Sequence, residues 1–142
     1  MGRVILVGVG LLALVGCNSR TPMRVWGDVS YEGKPISDGQ IVFTPVNGTP
    51  GPTTGGSIAD GRYEVPVKNG PWRGGTYQIE ITALAKNGAK LPNPTDPSGP
   101  PVELADNYIP AQFNHQSELR VTISANAAQN KFDFHLRDKP GP

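Results

Sequence analysis

One cysteine, Cys17, is all the thiol chemistry this sequence has, so no disulfide can form within the chain and the fold is held by its core alone. An excess of charge of one sign is also missing. Thirteen Lys and Arg oppose 12 Asp and Glu, for a net charge of +1, which gives no electrostatic reason to expect nucleic acid as a partner. No apolar run approaches the ~20 residues of a membrane-spanning helix; the longest, residues 4–16, has 13. The two histidines, His115 and His135, lack the HxxxH or HExxH spacing that puts two metal ligands on one helical face. What the sequence has in quantity is Gly (18) and Pro (15). They cluster between apolar stretches instead of spreading evenly, which predicts short strands separated by long turns and argues against disorder.

The amino-terminal segment reads as an address. Arg3, the short apolar run and the small residue Gly16 are the three regions of a secretory signal peptide, too short to remain as a membrane span. Gly16 is followed at once by Cys17, and Leu14-Val15-Gly16-Cys17 resembles the lipobox of bacterial lipoproteins. That resemblance implies cleavage between Gly16 and Cys17, a diacylglyceryl group on the Cys17 sulfur, and often an acyl chain on the new amino terminus. A thiolate is the right nucleophile for such a transfer, and two acyl chains are what stable anchoring needs. The competing reading, a buried free cysteine in an apolar helix, leaves the coincidence of signal regions and lipobox without a cause. Cys17 is thus expected to be an anchor and not a catalyst, with the membrane as its partner through lipid. The location this implies is a bacterial cell membrane. The periplasmic face of the outer membrane is favoured, because Asn18 is not the aspartate that retains enteric lipoproteins at the inner membrane. Residues 1–16 form the signal peptide, 17–22 the lipidated tether, 23–138 a single domain and 139–142 a tail. At ~3.5 Å per residue the tether beyond Cys17 reaches less than about 20 Å, so the domain is expected to work close to the bilayer.

Alternation of apolar and polar residues, the mark of a half-buried strand, recurs along the rest of the chain. Residues 23–31 place Val25, Gly27, Val29 and Tyr31 on one face and Trp26, Asp28 and Ser30 on the other. Residues 40–44 make a second strand after the turns at 32–35 and 37–39. Asp60-Gly61 is a short-range hairpin signal joining a weak strand at 56–59 to 62–67, and Pro66 argues for an edge position there. Residues 76–83 are the clearest strand, with Tyr77, Ile79, Ile81 and Ala83 inward. Residues 86–107 read as a long polar, proline-rich insertion. Two last alternating stretches, 118–124 and 130–137, complete the set. The expected fold is therefore all-β: a seven-stranded antiparallel β-sandwich, transthyretin-like or immunoglobulin-like, after a cleaved amino-terminal signal helix.

The order of these motifs resembles a known family. VWGDVSYEGKPISDGQIVFTP (25–45) resembles the opening of the carboxypeptidase regulatory-like, or transthyretin-like, domain, with a strand, a G-K-P turn and a strand ending in Thr-Pro. ADGRYEV (59–65) and RGGTYQIEI (73–81) match the family's later D-G-x-Y hairpin and G-x-Y strand. The late YIPAQFNHQSELRVTIS and NKFDFHL are similar to the tail of small planctomycete-type lipoproteins carrying this domain. The resemblance implies an accessory β-sandwich that carries no catalytic residues, no metal and no cofactor of its own.

The residues themselves agree with that implication. His135 alternates outward between Phe134 and Leu136, as a solvated strand histidine does. Gly55-Gly56-Ser57-Ile58-Ala59 misses the G-x-S-x-G nucleophile elbow by its last residue, and no helix follows Ser57. Asp96, Glu103 and Asp106 lack the spacing of a calcium loop. Asn47-Gly48-Thr49 fits a glycosylation sequon by chance. Two tryptophans remain. Trp26 either fills the second side of the sheet or projects as a platform. Trp72, followed by Arg73, either closes a loop over the end of the core or is exposed for stacking on a sugar or a partner. The function expected is a membrane-anchored, non-enzymatic structural or protein-interaction module of the cell envelope, with an envelope protein as partner. The alternative is a carbohydrate-binding module that meets polysaccharide through Trp26, Trp72 and Arg73.

Overall fold

A computed structural model of the chain describes residues 20–138. The signal peptide, the Gly16 and Cys17 lipobox, the first part of the tether and the tail at 139–142 lie outside the described residues. Nine strands occur in chain order: β1 (Val25–Tyr31), β2 (Lys34–Pro35), β3 (Asp38–Val46), β4 (Thr54–Ala59), β5 (Arg62–Val65), β6 (Thr76–Leu91), β7 (Val102–Asn107), β8 (Arg120–Thr122) and β9 (Phe134–Leu136). The only helical segments among the described residues are three single 3-10 turns, and no helix there is long and apolar enough to cross a membrane.

The strands form one sheet in the order β2-β1-β5-β4-β3-β6-β7, with β8 added to β6 and β9 to β1. All pairings are antiparallel except β1 with β9, which is parallel. Alternation sets the register of the core. Val25 and Val29 of β1, Ile41 and Phe43 of β3, Tyr63 and Val65 of β5, and Tyr77, Ile79, Ile81 and Ala83 of β6 are all buried, and their neighbours point outward. The rings of Phe43 and Tyr63 lie 6.1 Å apart, and those of Tyr63 and Phe134 6.2 Å. Aromatic rings from strands that are not neighbours therefore meet over one core.

Turn chemistry fixes the hairpins. Glu32 and Gly33 (φ 48° and 77°), and again Asp60 and Gly61 (φ 50° and 76°), adopt the paired left-handed conformation of a two-residue hairpin turn that matches strand twist. Gly27 is needed for a different reason. A Cβ there would lie 1.9 Å from the carbonyl oxygen of Phe132, because Phe132 donates its N–H to Trp26 at 2.8 Å and holds the segment before β9 against β1.

Four expectations are corrected by this arrangement. Nine strands replace seven, since β2 and β7 add to the set. The polar insertion at 86–107 is not a loop: β6 continues to Leu91 and turns back as β7, their pairing broken only by a bulge between Lys86 and Lys90. Strand β5 is not an edge, being paired to β1 and β4; Pro66 falls just beyond it and starts the turn at Val67–Asn69, so its missing N–H says nothing about the sheet's rim. Finally, β9 joins parallel, a pairing that alternation alone does not distinguish from antiparallel.

Candidate functional site

Three surfaces hold the side chains able to meet another molecule. The first surrounds Trp26 on the outer face of β1. Arg24 places its guanidinium 4.4 Å above the centre of the Trp26 ring and donates two hydrogen bonds to Glu64, Nε to Oε1 at 2.7 Å and Nη2 to Oε2 at 3.0 Å. The pair pulls the Glu64 carboxyl below its ordinary range and pushes the Arg24 guanidinium up. Alongside, Lys131 Nζ lies 2.6 Å from both Asp133 oxygens and 3.2 Å from Asp28 Oδ2, and Asp133 Oδ1 accepts the Asp28 N–H at 2.8 Å. Lys131 and that N–H together hold the Asp133 carboxyl below the usual range. Every charge on this face except the loosely held Arg62, 3.8 Å from Asp28, has a close partner of opposite sign. Trp26 is half-buried beneath one of these pairs, so it covers the sheet and does not stand out as a bare platform.

The second surface lies where the chain enters the domain. Pro22 bridges to Trp72, Arg73 N–H donates to Thr21 at 2.9 Å, and Met23 N–H to Pro71 at 2.8 Å. Trp72 donates its backbone N–H to the hydroxyl of the buried Tyr77 at 2.8 Å, and Gly51 lies against its indole. Trp72 is thus half-buried and closes the end of the core. Beside it a cleft of about 260 Å³ is lined by Arg20, Asn47, Thr49, Trp72 and Arg73, and no acidic side chain lines it. The Arg20 guanidinium sits 5.6 Å from the centre of the Trp72 ring. Reasoning from sequence singled out Trp72 and Arg73 and missed Arg20, which reads as tether until the Pro22 bridge shows where the tether lands.

The third surface is the hairpin arm of β6 and β7 beyond Ala83. Leu84, Leu91, Val102 and Leu104 are 58%, 53%, 45% and 36% exposed. The arm has two unlike faces. Lys86 pairs with Glu103 at 2.8 Å across the strands, so one face carries Lys86, Lys90 and Glu103. Strand alternation puts Val102 and Leu104 on the other, with Leu91 directly opposite Val102. That second face continues the side of β6 that builds the core, with nothing over it among the described residues. Strand β7 pairs with β6 alone, so its outer edge is free among the described strands. The alternation in Val102-Glu103-Leu104-Ala105-Asp106 was the signal for this strand, and the flanking prolines outweighed it.

The remaining sequence candidates sit apart. Ser57 is an exposed residue within β4, in front of the Asp60 turn. His135 Nδ1 is 2.9 Å from Ser30 Oγ, and His115 Nδ1 is 2.6 Å from Asn114 Oδ1. Among the described residues no three metal-ligating side chains converge. Cys17 and Gly16 lie outside the described residues. Comparison with protein-family models, with curated proteins and with solved structures returned no match.

Proposed function

We propose that this chain is a lipid-anchored, non-catalytic module of the bacterial cell envelope that presents its β6–β7 arm to a protein partner. We further assign the curled sheet to a two-layer sandwich of the transthyretin-like type. Support for the sandwich is the single buried face of the sheet, whose rings from β3, β5 and β9 need a second layer to meet. Support for the interaction role is one observation: the core-building face of β6 runs on past the core into the arm, where Leu91, Val102 and Leu104 stand uncovered beyond the hydrogen-bonded pair Asn87 and Asp106. A free strand edge beside these side chains offers main-chain hydrogen bonds and side-chain pockets together, which is how a strand from another protein is accepted. Strand β6 begins at Thr76, beside the Trp72 loop where the tether enters, and spans 16 residues, about 50 Å. The arm tip is therefore held away from the anchored end.

The glycan reading has less to stand on, because each indole already carries an arginine across its ring. The test is a crosslinking pull-down from native membranes with wild type, Cys17→Ala and Leu91→Lys/Val102→Lys. One envelope protein recovered near stoichiometry with wild type, and lost with both variants, supports the proposal. Equal recovery with the arm variant removes the arm from the interaction, and no specific recovery from wild type ends the protein-partner reading.

A further inference from the structure

We propose that the cleft formed by Arg20, Trp72 and Arg73 seats the phosphate headgroup of a membrane phospholipid, so that the domain rests with this end on the bilayer surface. The inference rests on the anchored reading and adds an orientation to it. The cleft is where the chain leaves the domain towards its amino terminus, and only three peptide steps lead from Arg20 back to Cys17, about 10 Å at full extension. A lipid on Cys17 would hold the cleft at headgroup depth.

The chemistry of the cleft fits that depth. Two guanidinium groups and no carboxylate line it, and the planar fork of arginine matches phosphate oxygens. Its aromatic wall is an indole, which favours the boundary between water and hydrocarbon, apolar body inward and polar edge outward. The surroundings extend the pattern. Val67, 53% exposed, and Lys68 form the turn that leaves the same end of β5. The nearest carboxylate on that strand, Glu64, is closed by Arg24. At the opposite ends of the strands lie Glu32, Asp38 and Asp60, Asp60 donating its N–H to Ser37 beside the start of β3. Lys34, Arg62 and Arg137 lie at that end too, so what sets the tether end apart is a cleft with two cations and no carboxylate, the part an anionic leaflet would attract.

The test uses the full chain, purified from membranes, in a Trp26→Phe background that leaves Trp72 as the sole tryptophan. It is reconstituted in vesicles of phosphatidylglycerol and phosphatidylcholine carrying bromine near the headgroup end of the acyl chains. Flotation reports the anchor and quenching of Trp72 fluorescence reports the cleft. The expected result is quenching in the anionic vesicles that is largely lost in Arg20→Ala/Arg73→Ala and at about 0.5 M salt, with flotation unchanged. Flotation with Trp72 unquenched, or quenching indifferent to both arginines, overturns the proposal and leaves the anchor standing. A fluorescence change produced equally by inorganic phosphate without vesicles overturns it in favour of a small-anion site. Failure to float overturns the anchor and this proposal together.

Discussion

Single side chains do much of the work that longer elements do in helical proteins. Asn130 is fully buried and accepts the Ser124 N–H at 2.8 Å while donating to the Ser124 carbonyl at 3.0 Å, so one amide imitates a strand neighbour and closes the last loop. Asn130→Ala strips both partners and is expected to cost about 2 kcal/mol, read as a lowered denaturation midpoint with an unchanged slope. Acid sensitivity is expected at two carboxylates. The Asp133 carboxyl is held low by Lys131 and by the Asp28 N–H, and the Glu64 carboxyl by Arg24. A depressed folded value means a contribution present above the unfolded value of about 4 and lost as pH falls through the folded one. Urea midpoints are expected to be flat near neutrality and to fall in acid below about pH 4. Asp133→Asn should show a lower neutral midpoint and a shallower acid limb, whereas an unaltered acid limb would remove Asp133 from the account. The inward residues of β6 were legible in the sequence because alternation states their role; Trp26 and Trp72 stood out by type alone, which left two readings for each, and Arg20 did not stand out because its place depends on a backbone bridge between residues 50 positions apart.

At the scale of elements, alternation and turn residues carry most of the information. Val25–Tyr31 and the body of β6 are readable to within a residue or two, and the Asp60-Gly61 hairpin follows from the left-handed geometry that its residues tolerate. Pairing partners are not readable in this way. The same alternation serves an interior or an edge strand and a parallel or antiparallel neighbour, so it fixes neither the place of β5 in the sheet nor the direction of β9. The arm was hidden for a further reason: its flanking Pro/Gly-rich segments have the composition of a loop even though they bracket paired strands. Since the fully buried side chains lie outside it, the arm is expected to be dispensable for folding. Replacing residues 86–105 with Asn-Gly should leave the cooperative transition within a few degrees of wild type by circular dichroism. Loss of that transition would mean that the arm supports the core and is not merely displayed by it.

For the whole molecule, the two ends of the strands differ in kind: one gathers the tether, Trp72 and an arginine cleft without a carboxylate, the other turns of mixed charge, and the arm extends away from the first. This difference is not legible in the sequence, because net charge says nothing of where charges fall until strand directions are known. The parallel seating of β9 on β1 has a consequence for how the chain comes into being. Ser30 and His135, which touch across this pair, are 105 residues apart in sequence, so the first strand synthesised waits for the last before its flank is closed. Removing residues 131–142 should abolish the cooperative transition altogether, and a retained transition would show that the earlier strands suffice. High contact order of this sort slows folding. For a protein proposed to be threaded through a membrane, delay is an advantage: until its final residues have been made, the chain has no finished shape that would have to be pulled apart on the way out.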